Sequence, residues 1–270
     1  MSCKNLINLS ILFIVMCFLS VLNEAIAQDN STIVCRFAVA SDGHYGQPNT
    51  SFKMYHRDIV RWLNQEKAQS RLDVAFFNGD MIHDDPKFLP EVKEVLYALD
   101  MPYYSTRGNH DRVSTQVWQQ NWGYPTNHSF IINNIGFILG DTSDEEGAYL
   151  CASVSWLQEA LDDMKHLDHV FVLLHIAQSK WTTNGVDCPE VMNLLSQTTN
   201  VKGVFHGHDH DEDDVKIYQQ TPFLFDGHIG GSWGVEYKGF RIVEVHEDGK
   251  VLTYQVNPNA NAKVYEQQLH

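Results

Sequence analysis

The 270-residue chain carries 19 lysines and arginines against 34 aspartates and glutamates, a formal net charge of −15. A surplus of that size disfavours nucleic acid polymers and anionic membrane surfaces as partners, because both are bound through clustered cations that release counterions. It sits more easily with a compact small-molecule substrate, and the chain is long enough to bury a core of its own.

The first residues combine an early lysine, an apolar stretch from about Leu9 to Leu22, and Ala25-Ile26-Ala27 as a small-x-small cleavage site. They read as a secretory signal over 1–27, which makes the mature protein secreted or periplasmic. The apolar stretch is short of the roughly 20 residues a spanning helix needs, Asn23 and Glu24 interrupt it, and no later segment reads as a membrane span. Residues 28–270 read as a single domain, without internal repeat, low-complexity tract or linker.

Short apolar runs with the β-branched and aromatic content of buried strands then recur, each leading into a polar loop. IVCRFAVAS leads into Asp42, LDVAFFN into Gly79-Asp80, MPYYSTR into Gly108-Asn109, HVFVLL into His175, and VKGVF into His206 to His210. Between them the spacing predicts helices with one apolar face each: Tyr55, Ile59, Trp62 and Leu63; Val92, Val95, Leu96 and Leu99; Trp156, Leu157, Ala160, Leu161 and Met164. The alternation predicts an α/β layered fold with parallel pairing in part of the sheet. After His210 the runs VKIYQQ, TPFLFD, FRIVEVHEDG and KVLTYQVN follow with no helix between, which predicts antiparallel strands at one side. WQQNWGYPTN and SKWTTNGVD read as loops whose Trp118, Trp122, Tyr124 and Trp181 either stack on a base or sugar of the substrate or serve packing. Past residue 27, Cys35 lies in an apolar run and reads as a buried thiol, whereas Cys151 and Cys188 flank predicted loops and can pair in an oxidising compartment.

In open α/β sheets ligands bind beyond the carboxyl ends of the strands, and there these loops place carboxylates, imidazoles and an amide. Mixed oxygen and nitrogen donors without cysteine suit divalent first-row ions, Mn, Fe or Zn, and argue against a structural zinc. Alternation along an extended chain puts Asp42 with His44, and His208 with His210, on one side, so that each pair can chelate.

The ordered set D-x-H, GD, GNHD, H and GHDH, from Asp42 to His210, resembles the calcineurin-like metallophosphoesterase family. The resemblance implies a layered sandwich in which a pair of mixed β-sheets is flanked by helices. It implies two metal ions bridged by Asp80, the first completed by Asp42, His44 and His210, the second by Asn109, His175 and His208. His110 would be the proton-managing histidine, with Asp111 orienting its ring, and a metal-bridging hydroxide would attack a small phosphomono- or phosphodiester. His44 stands where the similar purple acid phosphatases use a tyrosine, which sets this chain apart from that branch. The alternative is a non-catalytic scaffold holding metals for structure alone; the presence of His110 and every expected ligand favours the enzyme.

Around this set, His206 is expected to point away from the chelate and Asp211 to Asp214 to form a solvated turn, while His83 and Asp84, three and four residues after Asp80, either lie near the metals or belong to a solvated loop. His228, among glycines, either borders the substrate pocket or serves a tight turn. Arg107 and Arg112 flank the GNHD loop, where one can hold a phosphate oxygen.

Overall fold

The computed structural model describes residues 31–269, so the expected signal segment lies outside the described residues. In chain order the elements are β1 (Ile33–Ala40), α1 (Phe52–Gln69), β2 (Val74–Asn78), a 3₁₀ turn (Pro86–Phe88), α2 (Leu89–Leu96), β3 (Tyr103–Thr106), α3 (Thr115–Trp122), β4 (His128–Ile132) and β5 (Ile135–Gly140). They continue with α4 (Val154–Asp163), β6 (Val170–Leu174), α5 (Pro189–Gln197), β7 (Val201–His206), β8 (Val215–Tyr218), β9 (Thr221–Phe225), β10 (Phe240–His246), β11 (Val251–Asn257) and β12 (Ala262–Leu269). Among the described residues no helix is long and apolar enough to cross a membrane.

The strands form two mixed six-stranded sheets, ordered β12-β11-β10-β1-β2-β3 and β4-β5-β6-β7-β9-β8. The period of two along each inner strand builds the layers. Cys35, Phe37 and Val39 of β1 and Val74 and Phe76 of β2 face the second sheet, meeting Phe137, Phe171, Leu173 and Phe205. The alternate residues Ala38, Ala40, Ala75 and Phe77 face α1 and α2, through Ile59, Leu63, Val92 and Leu96. On the other sheet Ile138, Val170, Val172, Leu174 and Val204 face α4 and α5. The result is a helix, sheet, sheet, helix sandwich. Phe37 stands at its centre, with its ring centroid 4.9 Å from that of Phe171, 5.1 Å from Phe137, 5.8 Å from Phe76 and 6.0 Å from Phe205.

Two expectations need correction. The strands after His210 do not gather at one side: β8 and β9 extend the second sheet, with β9 parallel to β7, while β10 to β12 form an antiparallel edge beside β1. Nor is WQQNWGYPTN a loop throughout. Ser114 caps the Val117 N–H and Gly123 ends α3 in the left-handed region, at φ 92°. That helix buries Trp118 and Trp122 in the core under the first sheet. Tyr124 Oη accepts from Ser105 N at 2.7 Å, and Trp181 packs edge-on to Phe223 at 5.1 Å. These four aromatics therefore serve packing. Cys35 is a buried thiol, and Cys151 and Cys188 form a disulfide with a Cα separation of 5.6 Å.

His56, on the buried face of α1, donates from Nδ1 to Phe52 O at 2.9 Å, while its buried Nε2 has no hydrogen-bond partner. Burial lowers its pKa to about 4, against a smaller opposing effect of the Phe52 carbonyl. In the unfolded chain it protonates near 6.5, so the stability it permits is complete above about pH 6.5 and is lost as pH falls towards about 4. Between pH 7.5 and 5 this loss should be on the order of 2 kcal/mol. Urea unfolding in chelator should show His56→Leu losing correspondingly less stability than wild type over that interval; equal losses would refute the assignment.

Candidate metal centre

The turns that carry the expected ligands leave the carboxyl ends of β1, β2, β3, β6 and β7, which converge on one edge of the sandwich. Backbone pairing continues past the strands, with Asp42 N donating to Gly79 O at 3.1 Å and His44 N to Asp80 O at 2.9 Å. Asp42, His44, Asp80 and His208 all lie in the left-handed region, at φ 57°, 45°, 52° and 65°. Strain of this kind costs on the order of 1–3 kcal/mol per residue and persists where the surroundings over-determine it. Two glycines make the approach possible. A Cβ on Gly79 would run into the His175 ring, and one on Gly207 would meet Ser41 Oγ and come within 2.6 Å of Asp42 Oδ2.

The side chains meet in two groups, Asp42 with His44 and His210, and Asp80 with His175 and His208, the donor atoms within each group lying within 4.8 Å of one another. His208 and His210, which alternation alone would let chelate as a pair, lie in different groups, the division that the resemblance implies. In the first, His44 Nε2 is 3.0 Å from His210 Nε2, and Asp42 Oδ1 is 3.2 Å from His210 Nε2 and 3.9 Å from His44 Nε2. Asp80 Oδ2 joins the groups, 3.3 Å from His175 Nε2 and 3.7 Å from His44 Nε2. Ligands about 2.1 Å from one ion and at right angles stand about 3 Å apart, so these spacings suit first-row ions.

A second observation supports the fit. Asp42 Oδ1, Asn109 Oδ1, His175 Nε2 and His208 Nε2 are all buried without a hydrogen-bond partner. Such atoms are costly unless something else satisfies them. The opposite ring nitrogens of His175 and His210 donate to Asn78 O at 2.7 Å and Trp233 O at 3.2 Å, which leaves Nε2 as the inward lone pair in each.

Electrostatics follow from burial and from these contacts. Burial works against the charge on Asp42 and Asp80, but His210 and His175 outweigh it for Asp42, and His175 chiefly for Asp80, so both carboxyls stay well below the ordinary range. His44 falls to about 3 through burial, despite the pull of Asp80 and Asp42. For His175 burial is outweighed by Asp80 and Asp42, and its pKa rises to about 10. Loading an ion must expel that proton, so binding strengthens as pH rises.

The surroundings revise several readings. His110 does not use Asp111 as its ring partner. Both Asp111 oxygens accept backbone N–H groups, from Ile82 at 3.0 Å and Gly108 at 2.7 Å, and it is Asp84 Oδ1 that faces His110 Nδ1 at 3.0 Å. Asp84 also holds Arg112 Nε at 2.8 Å, and His83 lies with Nδ1 3.0 Å from His44 Nδ1 and its ring stacked on His110. His83 and Asp84 thus belong to the site, at three and four residues after Asp80. Arg107 turns inward to Asp141, Val113 O and Ser143 O and is fully used there. His206 is buried, donating from Nδ1 to Leu174 O at 2.7 Å. His228 braces its loop through Gly230 O and Val235 O and stacks on His210. Asp209 points away from both groups, to Thr182 Oγ1 and Asn184 Nδ2, each at 2.9 Å, so SKWTTNGVD anchors the His208 to His210 turn. Within the 211–214 turn, Asp213 accepts from Tyr237 and Asp214 from Lys216. Two half-exposed aromatics border the centre, Trp233 over His210 and Tyr149 edge-on to His208.

The family described as calcineurin-like phosphoesterase matches residues 35–212, and the chain belongs to that family. The fold is similar to that of a dimetal phosphatase from Danio rerio, at 13% identity and a TM-score of 0.69, covering 88% of this chain and 99% of that one. It is also similar to a purple acid phosphatase from yellow lupin, Lupinus luteus, at 12% identity and a TM-score of 0.67, covering 88% and 54%. At these identities the likeness is one of fold. No curated protein sequence matches the chain.

Elemental analysis of the purified protein should find two transition-metal ions per chain, and Asp80→Ala should lose more than one ion's worth, since Asp80 Oδ2 faces both groups. One ion in wild type, or full occupancy in the variant, would contradict this. The two neighbouring aspartates should also separate by phenotype. Asp111→Ala leaves two buried N–H groups unpaired and should cost about 1–3 kcal/mol for each in urea unfolding, whereas Asp84→Ala should leave unfolding nearly unchanged and lower turnover. The reverse pattern would restore Asp111 as the partner of His110.

Proposed function

We propose that the protein is a secreted, metal-dependent hydrolase of small phosphomono- or phosphodiesters. The observation that carries this reading is the set of buried, unpartnered donors around Asp80, namely Asp42 Oδ1, Asn109 Oδ1, His175 Nε2 and His208 Nε2. Asp42, His44 and His210 would hold one ion, Asn109, His175 and His208 a second, and Asp80 both. Bound there, Mn, Fe or Zn ions supply Lewis acidity at phosphate oxygens and acidify a water molecule for attack.

The chain's own contribution centres on Asp80 and His110. Asp80 Oδ1 accepts the His110 backbone N–H at 2.8 Å, which fixes the carboxylate and aims Oδ2 inward. Asp84 holds His110 Nδ1–H, so it is Nε2 that, when protonated, is left to donate a hydrogen bond to a phosphate oxygen or its proton to the departing alkoxide. His110 retains partial exposure, as a group that exchanges protons with solvent needs. The Cys151–Cys188 disulfide supports the extracytoplasmic part of the proposal, since such bonds persist in oxidising compartments.

His110→Ala should keep both ions and the fold while lowering kcat by about 10²–10⁴ on an alkyl phosphoester. The loss should be smaller on p-nitrophenyl phosphate, whose leaving group needs little protonation. Equal losses on both esters would reassign His110 to holding the phosphate, and an unchanged kcat on the alkyl ester would remove it from the chemistry. Wild type that binds its metals yet turns over neither p-nitrophenyl phosphate nor bis(p-nitrophenyl) phosphate would favour the scaffold reading.

A further inference from the structure

The loop after β9 supports His210 on one side and on the other walls a polar cavity of about 410 Å³, whose lining includes Thr50, Tyr55, Ser232, Trp233, Glu236 and Lys238. Trp233 belongs to both places. Its indole lies parallel to the His210 ring, with centroids 4.4 Å apart and planes 9° apart, and is 5.0 Å from the His44 ring. That stacking occupies one face. The residue is 42% exposed, and no other ring among the described residues lies parallel to it, so no second ring stacks on the indole and part of it is open.

Holding His210 does not require this indole, because His210 Nδ1 donates to the Trp233 backbone carbonyl. An open indole face forgoes the burial that Trp118 and Trp122 obtain in the core. Nearby, Lys238 Nζ lies 4.7 Å from the centre of the Tyr55 ring, and no carboxylate among the described residues pairs with it. Glu236 offers an acceptor in the same cavity. A planar face, a free donor and an acceptor match a planar ring with polar edges, whereas an aliphatic alcohol would leave the indole wet.

Resting on the phosphoesterase reading, we propose that this cavity receives a nucleobase stacked on the free face of Trp233, so that the substrates are nucleoside phosphates with their phosphate at the adjoining metal centre. Trp233 is then a specificity-determining residue. Ribose 5-phosphate and the four common ribonucleoside 5′-monophosphates share sugar and phosphate and differ only in the base. On the metal-loaded full chain, calorimetry should show at least one nucleotide binding about tenfold or more tighter than ribose 5-phosphate. Trp233→Ala should bring that ratio near one, and Trp233→Phe should keep most of it. Metal content is measured in each variant. Lys238→Ala, away from the metal ligands, gives a second reading and should narrow the ratio about two- to tenfold. Equal affinities in wild type, or a ratio that survives both Trp233→Ala and Lys238→Ala, would overturn the proposal. A nucleotide preference without turnover of any ester would overturn the phosphoesterase reading and leave the cavity assignment standing, while turnover without preference would do the reverse.

Discussion

Asp42 and Asp80 are two buried carboxylates whose inward oxygens face the same imidazoles, with His175 Nε2 3.3 Å from Asp80 Oδ2 and 4.0 Å from Asp42 Oδ1. Taking such charges out of water costs several kcal/mol each, and nothing apolar can offset it. Only positive charge held at short range does so, whether as a proton on His175 or as divalent ions between the donor groups. The remaining design follows from this demand. The carboxylates come from the ends of different strands, Asp42 after β1 and Asp80 after β2. The backbone behind them turns sharply, and four of the expected ligands, Asp42, His44, Asp80 and His208, have positive φ.

The sandwich meets that demand by keeping the strands rigid right up to their ends. The phenylalanine cluster around Phe37 ties β1 and β2 to β5, β6 and β7 across the two sheets. Asn78 then links the two sheets at the site itself, with Nδ2 donating to Phe205 O at 3.1 Å, its backbone O receiving His175 Nδ1 and Ser41 Oγ, and Oδ1 receiving Thr106 Oγ1. One buried residue at the end of β2 therefore sets the relative position of the turns after β1, β3, β6 and β7. Its role is positional, and truncating it would loosen ligands on both sheets at once.

What could be read beforehand and what could not divide along a physical line. Apolar runs ending in Asp, His or Asn are local signals, so the strands before Asp42, Asp80, Asn109, His175 and His208 are legible, as is the meeting of their loops at one edge. The division of β8 and β9 from β10 to β12 depends on which edge each strand meets, and their similar composition carries no record of it. Asp84 carries no sequence signal for its role, because its link to His110 is made only when the β2 and β3 turns come together. Asp111 adjoins His110 in sequence, yet its carboxylate points back into the Ile82 and Gly108 amides. Trp118 and Trp122 looked available because eight residues of helix offer little periodicity, whereas Trp233, in a glycine-rich stretch, gave no signal before His210 was placed beneath it.

The fold's own contacts hold the donor atoms of the site in place. Donor atoms stand at spacings close to those of a coordination sphere, His175 and His210 already have their outer nitrogens committed to backbone carbonyls, and Asp42 Oδ2 accepts the His208 N–H at 2.9 Å. Small zinc-dependent domains differ, since there the metal supplies the folding free energy and its removal unfolds the chain. Here the phenylalanine core, the two helical layers and Asn78 hold the turns independently of the ligands. A frame held in this way is matched by ions with short bonds, because longer bonds would push the turns apart against a packed core.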